Sequence, residues 1–244
     1  MLISPTLDKL LTLKLKGMAD AYCQQQEQPS MQALSFDERL ALMVDRELGA
    51  RESQRLRRLI TQARFRYAAS IEEVDYSFER GLDRSQLIGL AGCDWIRRRQ
   101  NILLTGATGT GKSWLACALG YQACRQGLTV FYRNCAQLFE ELQLAAADGS
   151  LPRLRQQLCK VNVLILDDLG LAPVIPSVGY TLLEIIDIRS QTGSLVITSQ
   201  FPSERWLNFF AEATLAEAIL DRIVHRAHRL SLKGESMRKK IEAL

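Results

Sequence analysis

Gly106-Ala107-Thr108-Gly109-Thr110-Gly111-Lys112-Ser113 is a glycine-rich segment that follows the apolar run Ile102-Leu103-Leu104 and precedes a helical pattern from Trp114 onward. Its glycines allow the backbone to curl until several N–H groups point at one oxyanion. A helix that begins at Lys112 adds the positive end of its dipole to the same place. The order strand, turn and helix around the pattern G-x-x-x-x-G-K-S predicts a nucleoside triphosphate site.

Two side chains of this loop have predicted roles toward the phosphates. Lys112 is expected to contact the β- and γ-phosphates as a point charge, and the Ser113 hydroxyl is expected to ligate Mg²⁺. The predicted nucleotide contacts are Gly106, Ala107, Thr108, Gly109, Thr110, Gly111, Lys112, Ser113 and Trp114.

The composition is that of an ordinary globular protein. The chain has 244 residues, of which 47% are apolar and 24% charged, with a net charge of +4. This length accommodates one α/β domain and a smaller appendage. No apolar run reaches the ~18 residues of a membrane span, and the first residues do not resemble a secretory signal. The cysteines lack C-x-x-C spacing, so we expect reduced thiols and a cytoplasmic protein.

The residues after Gln100 alternate between strand and helix patterns, which predicts a parallel sheet flanked by helices. The predicted strands are 101–105, 128–132, 161–168, 194–199 and 229–232, and the predicted helices are 112–126, 136–147, 151–160, 177–191 and 215–226. We predict a helical N-terminal domain at 1–67, a connector at 68–100 with a helix over 82–95, and a nucleotide-binding core at 101–244.

The N-terminal region combines helical periodicity with a basic face. Leucines from Leu7 to Leu15 predict a first helix that ends near Gly17, and Ser35 with Glu38 marks the start of a long one. The basic face of the long stretch begins at Arg46, and the arginines assigned to DNA binding are Arg51, Arg55, Arg57, Arg58, Arg64 and Arg66. Because arginine matches phosphate oxygens and acids are scarce after Glu52, this face indicates a contact with a nucleic-acid backbone. A solvated helix face is the alternative that the sequence leaves open.

Polar residues at the ends of two later strands extend the predicted site. Asp167 and Asp168 end the apolar run from Val163, at the sheet edge where ligands bind. We expect Asp167 to hold Mg²⁺ through water and Asp168 to orient or deprotonate the attacking water. Gln200 or Ser199 follows another strand and is placed to sense the γ-phosphate.

Arginines near the C-terminus complete the prediction. Arg222 and Arg226 lie one helical turn apart, and one of them is a candidate finger for the γ-phosphate of a neighbouring subunit. Arg238 is a candidate for a phosphate contact in its own subunit. Because the sequence ends at Leu244, we expect no helical lid domain after it.

Taken together, these motifs resemble those of the IstB family of transposition helper ATPases, which belong to the AAA+ class and are close to DnaC-type helicase loaders. The resemblance rests on the phosphate loop, Asp167-Asp168-Leu169-Gly170, Thr198-Ser199-Gln200, Asp221-Arg222 and Gly234-Glu235-Ser236-Met237-Arg238. It implies a P-loop fold of AAA+ type, ATP and Mg²⁺ as cofactors, and a homo-oligomer that assembles on double-stranded DNA. It also implies origin in an insertion sequence and a cognate transposase as partner.

Two residues depart from the broader AAA+ pattern. Asp168 stands where Glu is usual, and Gln200 stands where Asn is usual. Since both positions orient the hydrolytic water, where ~1 Å matters, we expect slow hydrolysis that DNA and assembly stimulate.

The alternatives to an ATPase of this family are a helicase loader, a small-molecule kinase and a purely structural nucleotide-binding module. A purely structural module would leave Asp168 and the arginine pair without a role. A kinase would need a lid and an acceptor pocket, and neither is visible in this sequence. A GTPase would need an Asn-Lys-x-Asp motif, which the sequence does not contain.

Overall fold

The computed structural model describes residues 5–76 and 80–237. Packing divides the chain into two compact units, the first ending at Arg58 and the second beginning at Leu59. The division lies before the boundary predicted at residue 67. Leu59 and Ala63, whose side chains are buried, therefore belong to the second unit.

The first unit is helical. It contains Pro5–Thr12 (α1), Lys16–Glu27 (α2), the 3₁₀ segment Pro29–Ala33 and most of Phe36–Ala63 (α3). The predicted start of the long helix is confirmed, because Ser35 and Glu38 cap it reciprocally. The Ser35 N–H donates to Glu38 Oε2 at 2.8 Å, and the Glu38 N–H donates to Ser35 Oγ at 3.3 Å.

The prediction that Gly17 ends the first helix is wrong. The chain breaks earlier, at Leu13 to Leu15, where Lys14 has φ 60°, and Gly17 is a buried residue in the first turn of α2. A Cβ atom on Gly17 would lie 2.6 Å from the Arg46 carbonyl oxygen. Gly17 is therefore needed where the backbones of α2 and α3 approach closely.

The second unit is a parallel sheet flanked by helices, as predicted. Its strands are Asn101–Gly106 (β1), Val130–Asn134 (β2), Val163–Leu169 (β3), Ser194–Ser199 (β4) and Ala227–Leu232 (β5). Within the described residues their order is β2-β3-β4-β1-β5, and each neighbouring pair is parallel. All carboxyl ends consequently lie at one edge of the sheet, which brings the predicted site residues of β1, β3 and β4 together.

Helices precede the first strand and connect the others. They are Arg84–Ala91 (α4), Asp94–Arg97 (α5), Lys112–Arg125 (α6), Cys135–Asp148 (α7), Leu151–Lys160 (α8), Pro176–Thr192 (α9) and Ala213–Val224 (α10). The 3₁₀ segments Ile71–Glu73 and Ser203–Phe209 also belong to this unit. In the part of the chain that the structure describes, no helix has the length and apolar character needed to cross a bilayer.

Two strands begin later than predicted: β3 begins at Val163 rather than Val161, and β2 is shortened for a local reason. β2 begins at Val130 rather than Leu128, because the N–H of Thr129 donates to Asn162 Oδ1 at 2.9 Å instead of to a neighbouring strand. Gly127, with φ 77°, turns the chain into this position. The Asn162 side chain thus accepts the hydrogen bond from the Thr129 N–H, which would otherwise have extended β2 by pairing with a neighbouring strand.

Candidate nucleotide-binding site

The glycine-rich loop has the backbone geometry that the sequence predicts. Gly109 and Gly111 have φ values of 84° and 93°, which lie in the left-handed region that favours glycine. Gly111 immediately precedes Lys112, the first residue of α6. The loop therefore leads from the carboxyl end of β1 directly into a helix N-terminus, where backbone N–H groups favour an anion.

Lys112 is held inside this loop. Its Nζ donates to the carbonyl oxygens of Gly106 and Ala107, each at 2.8 Å, and the residue is 5% exposed. Burial lowers the pKa of Lys112, although the nearby carboxylates of Asp168 and Asp167 act in the opposite direction. A phosphate bound here would offer the Lys112 ammonium an acceptor that is also charged, in place of the two neutral carbonyl oxygens.

A cavity of about 550 Å³ opens beside the loop, within the range of small-molecule sites. The predicted residues that line it are Thr108, Gly109, Gly111, Lys112, Ser113, Trp114, Asp168 and Gln200. Other lining residues were not assigned to nucleotide binding from the sequence: Arg66, Tyr67, Glu73, Asp75, Arg80 and Met237. Tyr67 and Trp114 add aromatic surface to a cavity that also holds cationic and acidic groups, a combination that fits a nucleotide.

The acidic pair at the end of β3 is divided between the cavity and the core. Asp167 is fully buried behind the cavity wall, where Oδ2 accepts from the Tyr132 hydroxyl at 2.5 Å and Oδ1 from the Thr198 hydroxyl at 2.6 Å. Asp168 has φ 61°, and this turn presents its side chain to the cavity. Its N–H donates to the same Thr198 hydroxyl at 2.9 Å.

The residues around the cavity fit Mg²⁺. The Ser113 hydroxyl and the Asp168 carboxylate both face the cavity and supply the hard oxygen ligands that Mg²⁺ prefers, beside a place for substrate phosphates. Asp167 is buried behind these two residues. It accepts a hydrogen bond from the Thr198 hydroxyl, which in turn accepts one from the Asp168 N–H. Among the residues assigned to Mg²⁺, Ser113 thus faces the cavity directly and Asp167 does not.

Arg66 lies in a different environment from the one predicted. The sequence groups it with the arginines of a DNA-binding face, but its NH1 atom is 3.6 Å from Asp168 Oδ2 and 3.8 Å from Asp167 Oδ2. A hydrogen bond with the Tyr132 hydroxyl raises the pKa of Arg66. The assignment to DNA stays a prediction, and in this structure the guanidinium of Arg66 is directed at the nucleotide cavity.

Arg222 and Arg226 lie far from the phosphate loop of their own subunit. They precede β5, whose first residue pairs with Asn101, whereas the loop follows the other end of β1. The length of β1 separates the two places by about 16 Å at ~3.3 Å per residue. Neither arginine therefore contacts the loop in cis.

The two arginines differ in their own contacts. Arg222 Nε forms an ion pair with Asp187 Oδ1 at 2.7 Å, and its NH1 donates to the Ala218 carbonyl oxygen at 2.9 Å. Arg226 is exposed, and among the described residues its guanidinium has no ion-pair partner.

The C-terminal motif packs against the phosphate loop. The N–H of Met237 donates to the Gly109 carbonyl oxygen at 2.8 Å. A Cβ atom on Gly109 would lie 2.1 Å from Ser236 Oγ, so glycine is needed at this position for space as well as for its φ value. Arg238, the predicted phosphate contact, lies outside the described residues.

The predicted DNA-contacting arginines Arg51, Arg55, Arg57 and Arg58 are exposed on α3, and Arg64 is exposed just after it. A second cavity, of about 490 Å³, lies within the first unit and is bordered by Lys14, Lys16, Arg51 and Arg57. Its one acid is the buried Glu47, which forms an ion pair with Arg51 at 2.7 Å. The two lysines were not assigned from the sequence, because Lys14 lies between α1 and α2 and Lys16 begins α2, both far along the chain from α3.

Some functional residues were missed although a signal was present. Asn134 is the last residue of β2, which pairs with β3, and its Nδ2 atom lies 3.4 Å from Asp168 Oδ2. Tyr132 lies two residues before it in the same strand. Thr198 was quoted within the motif of β4 but given no role. Since neighbouring parallel strands end at one edge, polar residues in the last positions of the predicted strand 128–132 were candidates.

Comparison with known proteins identifies close relatives. The model of the IstB-like ATP binding protein family matches residues 8–244. A putative insertion sequence ATP-binding protein of Sinorhizobium fredii is 45% identical over 239 residues, 98% of each chain. The putative ATP-binding protein of insertion sequence IS1162 from Pseudomonas fluorescens is 50% identical over 204 residues, 83% of this chain and 88% of the relative.

Solved structures share the fold at lower identity. The crystal structure of DnaI has a TM-score of 0.60 and 22% identity, with 72% of this chain and 93% of that chain covered. The DnaC helicase loader has a TM-score of 0.55 and 17% identity, with 68% and 98% covered. AMPPCP-bound DnaA from Aquifex aeolicus has a TM-score of 0.57 and 16% identity, with 73% and 54% covered. These similarities confirm the P-loop fold of AAA+ type.

Proposed function

We infer the function of this chain from one premise, which is that it belongs to the family of IstB-like ATP-binding proteins. It is an insertion-sequence ATP-binding protein with a P-loop AAA+ fold. We propose that it hydrolyses ATP, assembles as a homo-oligomer on duplex DNA when ATP is bound, remodels the target DNA, and recruits or stimulates a cognate transposase.

One observation carries the proposal of hydrolysis. The cavity beside the phosphate loop brings Lys112, Ser113, Asp168 and Gln200, from three different strand ends, to one place. Binding alone requires only the loop, whereas a carboxylate and an amide at the same cavity also suit a water molecule that attacks a phosphate.

In the proposed reaction each residue has a defined task. The loop N–H groups and Lys112 hold the β- and γ-phosphates of ATP, and Asp168 accepts a hydrogen bond or the proton from the attacking water. Gln200 orients that water. Ser113, with Asp167 behind it, would hold Mg²⁺, which would supply positive charge beside the phosphates.

The proposal of DNA binding is supported by charge in the first unit. Arg51, Arg55, Arg57 and Arg58 are exposed on one helix, and Lys14 and Lys16 border the same cavity as Arg51 and Arg57. Such side chains suit the regularly spaced phosphates of a duplex and do not by themselves read bases. We therefore propose sequence-tolerant binding of target DNA.

The proposed function is tested by measuring ATP turnover with and without duplex DNA. We expect slow turnover by the isolated protein and a rise of roughly tenfold or more when DNA is present. Lys112→Ala is the control, since it removes the cation that holds the phosphates. Turnover that is equally slow with DNA and with the cognate transposase would contradict the proposal.

A helicase loader remains the alternative from the sequence. The insertion-sequence relatives reach 45–50% identity, whereas the DnaC and DnaI structures are 17–22% identical and share the fold alone. We therefore prefer a transposition helper over a helicase loader as the proposed function. Pull-down with a replicative helicase and, in parallel, with the cognate transposase distinguishes the two, because capture of the helicase alone would favour a loader.

A further inference from the structure

Arg66 occupies a position that the proposed chemistry does not use. Its guanidinium lies within 4 Å of both acids of β3, and its side chain is 45% exposed, whereas that of Asp167 is fully buried and that of Asp168 is 20% exposed. The ring of Tyr67 lies under the same guanidinium at 5.4 Å. Arg66 therefore approaches the acids from the side that is open to the cavity.

The backbone around Arg66 ties it to the end of α3. That helix ends at Ala63, and Arg64 has φ 55°, which turns the chain. Phe65 packs so closely on α6 that a Cβ on Gly120 would lie 2.6 Å from its Cε1 atom. Arg66 is thus the third residue after a helix end that is fixed to the helix of the phosphate loop.

Arg66 and a bound Mg²⁺ compete for the same negative charge. Without nucleotide, the guanidinium offsets the carboxylates of Asp168 and Asp167. Mg²⁺ would add positive charge beside Asp168 and Asp167, and the γ-phosphate of ATP would add a new anion in the same cavity. The best partner for a planar, bidentate guanidinium then changes from carboxylate to phosphate.

We propose that Arg66 is a nucleotide-sensing residue, which pairs with Asp167 and Asp168 in the absence of ATP and moves to the phosphates when Mg²⁺ and ATP bind. Its movement changes the anchoring of the last turns of α3, the helix that also carries Arg51, Arg55, Arg57 and Arg58. The inference rests on the proposed function, because it requires ATP in this cavity. It assigns Arg66 a positioning role between the nucleotide and the basic helix.

The inference is tested by hydrogen exchange of the segment 59–67 with and without a saturating, non-hydrolysable ATP analogue and Mg²⁺. Occupancy is followed separately with a fluorescent ATP analogue. In the wild type we expect exchange in this segment to change by about fivefold or more on nucleotide binding. Arg66→Ala should abolish the change at equal occupancy, and Arg66→Lys should restore it in part because it keeps the charge but not the fork.

Arg64→Ala is the matched control, since it removes an exposed arginine from the same turn that is not paired with the acids. It should keep the nucleotide-dependent exchange. In DNA titrations, Arg64→Ala should weaken binding with and without ATP alike, whereas Arg66→Ala should remove the difference between the two conditions.

The outcomes separate this inference from the proposed function. If the wild type binds ATP and DNA but Arg66→Ala keeps the same nucleotide-dependent change, Arg66 does not sense the nucleotide, and the proposed function stands. If the wild type binds ATP but not DNA, the DNA part of the function fails, and the exchange data still decide the role of Arg66. Absence of ATP binding by the wild type would overturn both.

Discussion

Thr198 is the residue that holds the two acids of the site in their different places. Its hydroxyl donates to Asp167 Oδ1 and accepts from the backbone N–H of Asp168, and the residue is fully buried. One hydroxyl thus fixes both the buried carboxylate and the turn that presents the next one to the cavity. This arrangement allows a prediction with an isosteric substitution.

Thr198→Val is expected to slow ATP hydrolysis by about tenfold to a hundredfold, because Asp168 loses the contact that sets its position. It should also lower the free energy of unfolding by about 1–3 kcal/mol, since a buried N–H and a buried carboxylate oxygen lose a partner. Steady-state turnover and urea unfolding measure the two effects. Thr198→Ser keeps the hydroxyl and should behave like the wild type, and wild-type turnover by Thr198→Val would contradict this role.

Among the residues, those of the phosphate loop and the acidic pair were predictable from the sequence, whereas the side chains that contact them were not. Lys112, Ser113 and Asp168 were found because their motifs have fixed spacing around a strand end. Arg66 was grouped with its basic neighbours, because its direction depends on the turn at Arg64. The buried Arg189 also has no local signal: it donates to the carbonyl oxygens of Leu158 and Ser194, groups that meet only in the fold.

Among the elements, strands and helices were predictable where a glycine marks the start of a segment, as Gly149 and Gly193 do. The strand 194–199 and the helix 151–160 were predicted with the bounds that the structure has. Gly17 was misread because a glycine after a leucine-rich segment resembles a helix end. Its actual role, close contact between two helices, is a property of packing that a single element does not reveal.

Gly17→Ala tests that contact. Because the added methyl would lie 2.6 Å from backbone atoms of Arg46 and Glu47, α2 and α3 must separate. We expect a loss of about 1–3 kcal/mol in the stability of the first unit, measured by hydrogen exchange of residues 5–58. Gly49→Ala, in the interior of α3 with open space around it, should be neutral or stabilising by up to ~1 kcal/mol. Equal effects of the two substitutions would contradict the close contact.

The basic face of α3 gives a second prediction at this scale. Arg55→Ala combined with Arg58→Ala should weaken duplex binding and reduce the slope of log K against log salt by about 1–2, because two phosphate contacts are lost. Fluorescence anisotropy at several salt concentrations measures both quantities. Arg153→Ala with Arg155→Ala, in α8, removes the same charge elsewhere. If both double variants lost the same amount of duplex affinity, the effect would come from net charge alone and not from the basic face of α3.

In the whole molecule, the two candidate finger arginines lie away from the phosphate loop of their own chain. Arg222 and Arg226 lie at the opposite end of β1 from the phosphate loop. The ion pair of Arg222 with Asp187 is partly exposed and contributes at most about 1 kcal/mol, so it does not prevent Arg222 from contacting a neighbour. Sequence motifs identified both arginines, but only the strand register shows that neither acts in cis.

Mixing experiments test this arrangement. Arg222→Ala and Arg226→Ala are each mixed with Lys112→Ala, which has an intact finger but a defective loop. The variant of the true finger should lose about 10³-fold of its DNA-stimulated hydrolysis alone and recover part of it in the mixture, because wild-type loops then meet wild-type fingers. If neither arginine variant loses activity, or neither mixture recovers it, hydrolysis does not depend on a finger supplied in trans.

We propose that ATP bound in the cavity of each subunit controls assembly on duplex DNA. The decisive measurement is particle mass on duplex DNA, by mass photometry or sedimentation, with ATP, with ADP and without nucleotide. We expect large DNA-bound assemblies with ATP, and small particles in the other two conditions and in Lys112→Ala with ATP. A monomer that ignores DNA in all conditions, or an assembly that forms equally well without nucleotide, would contradict it.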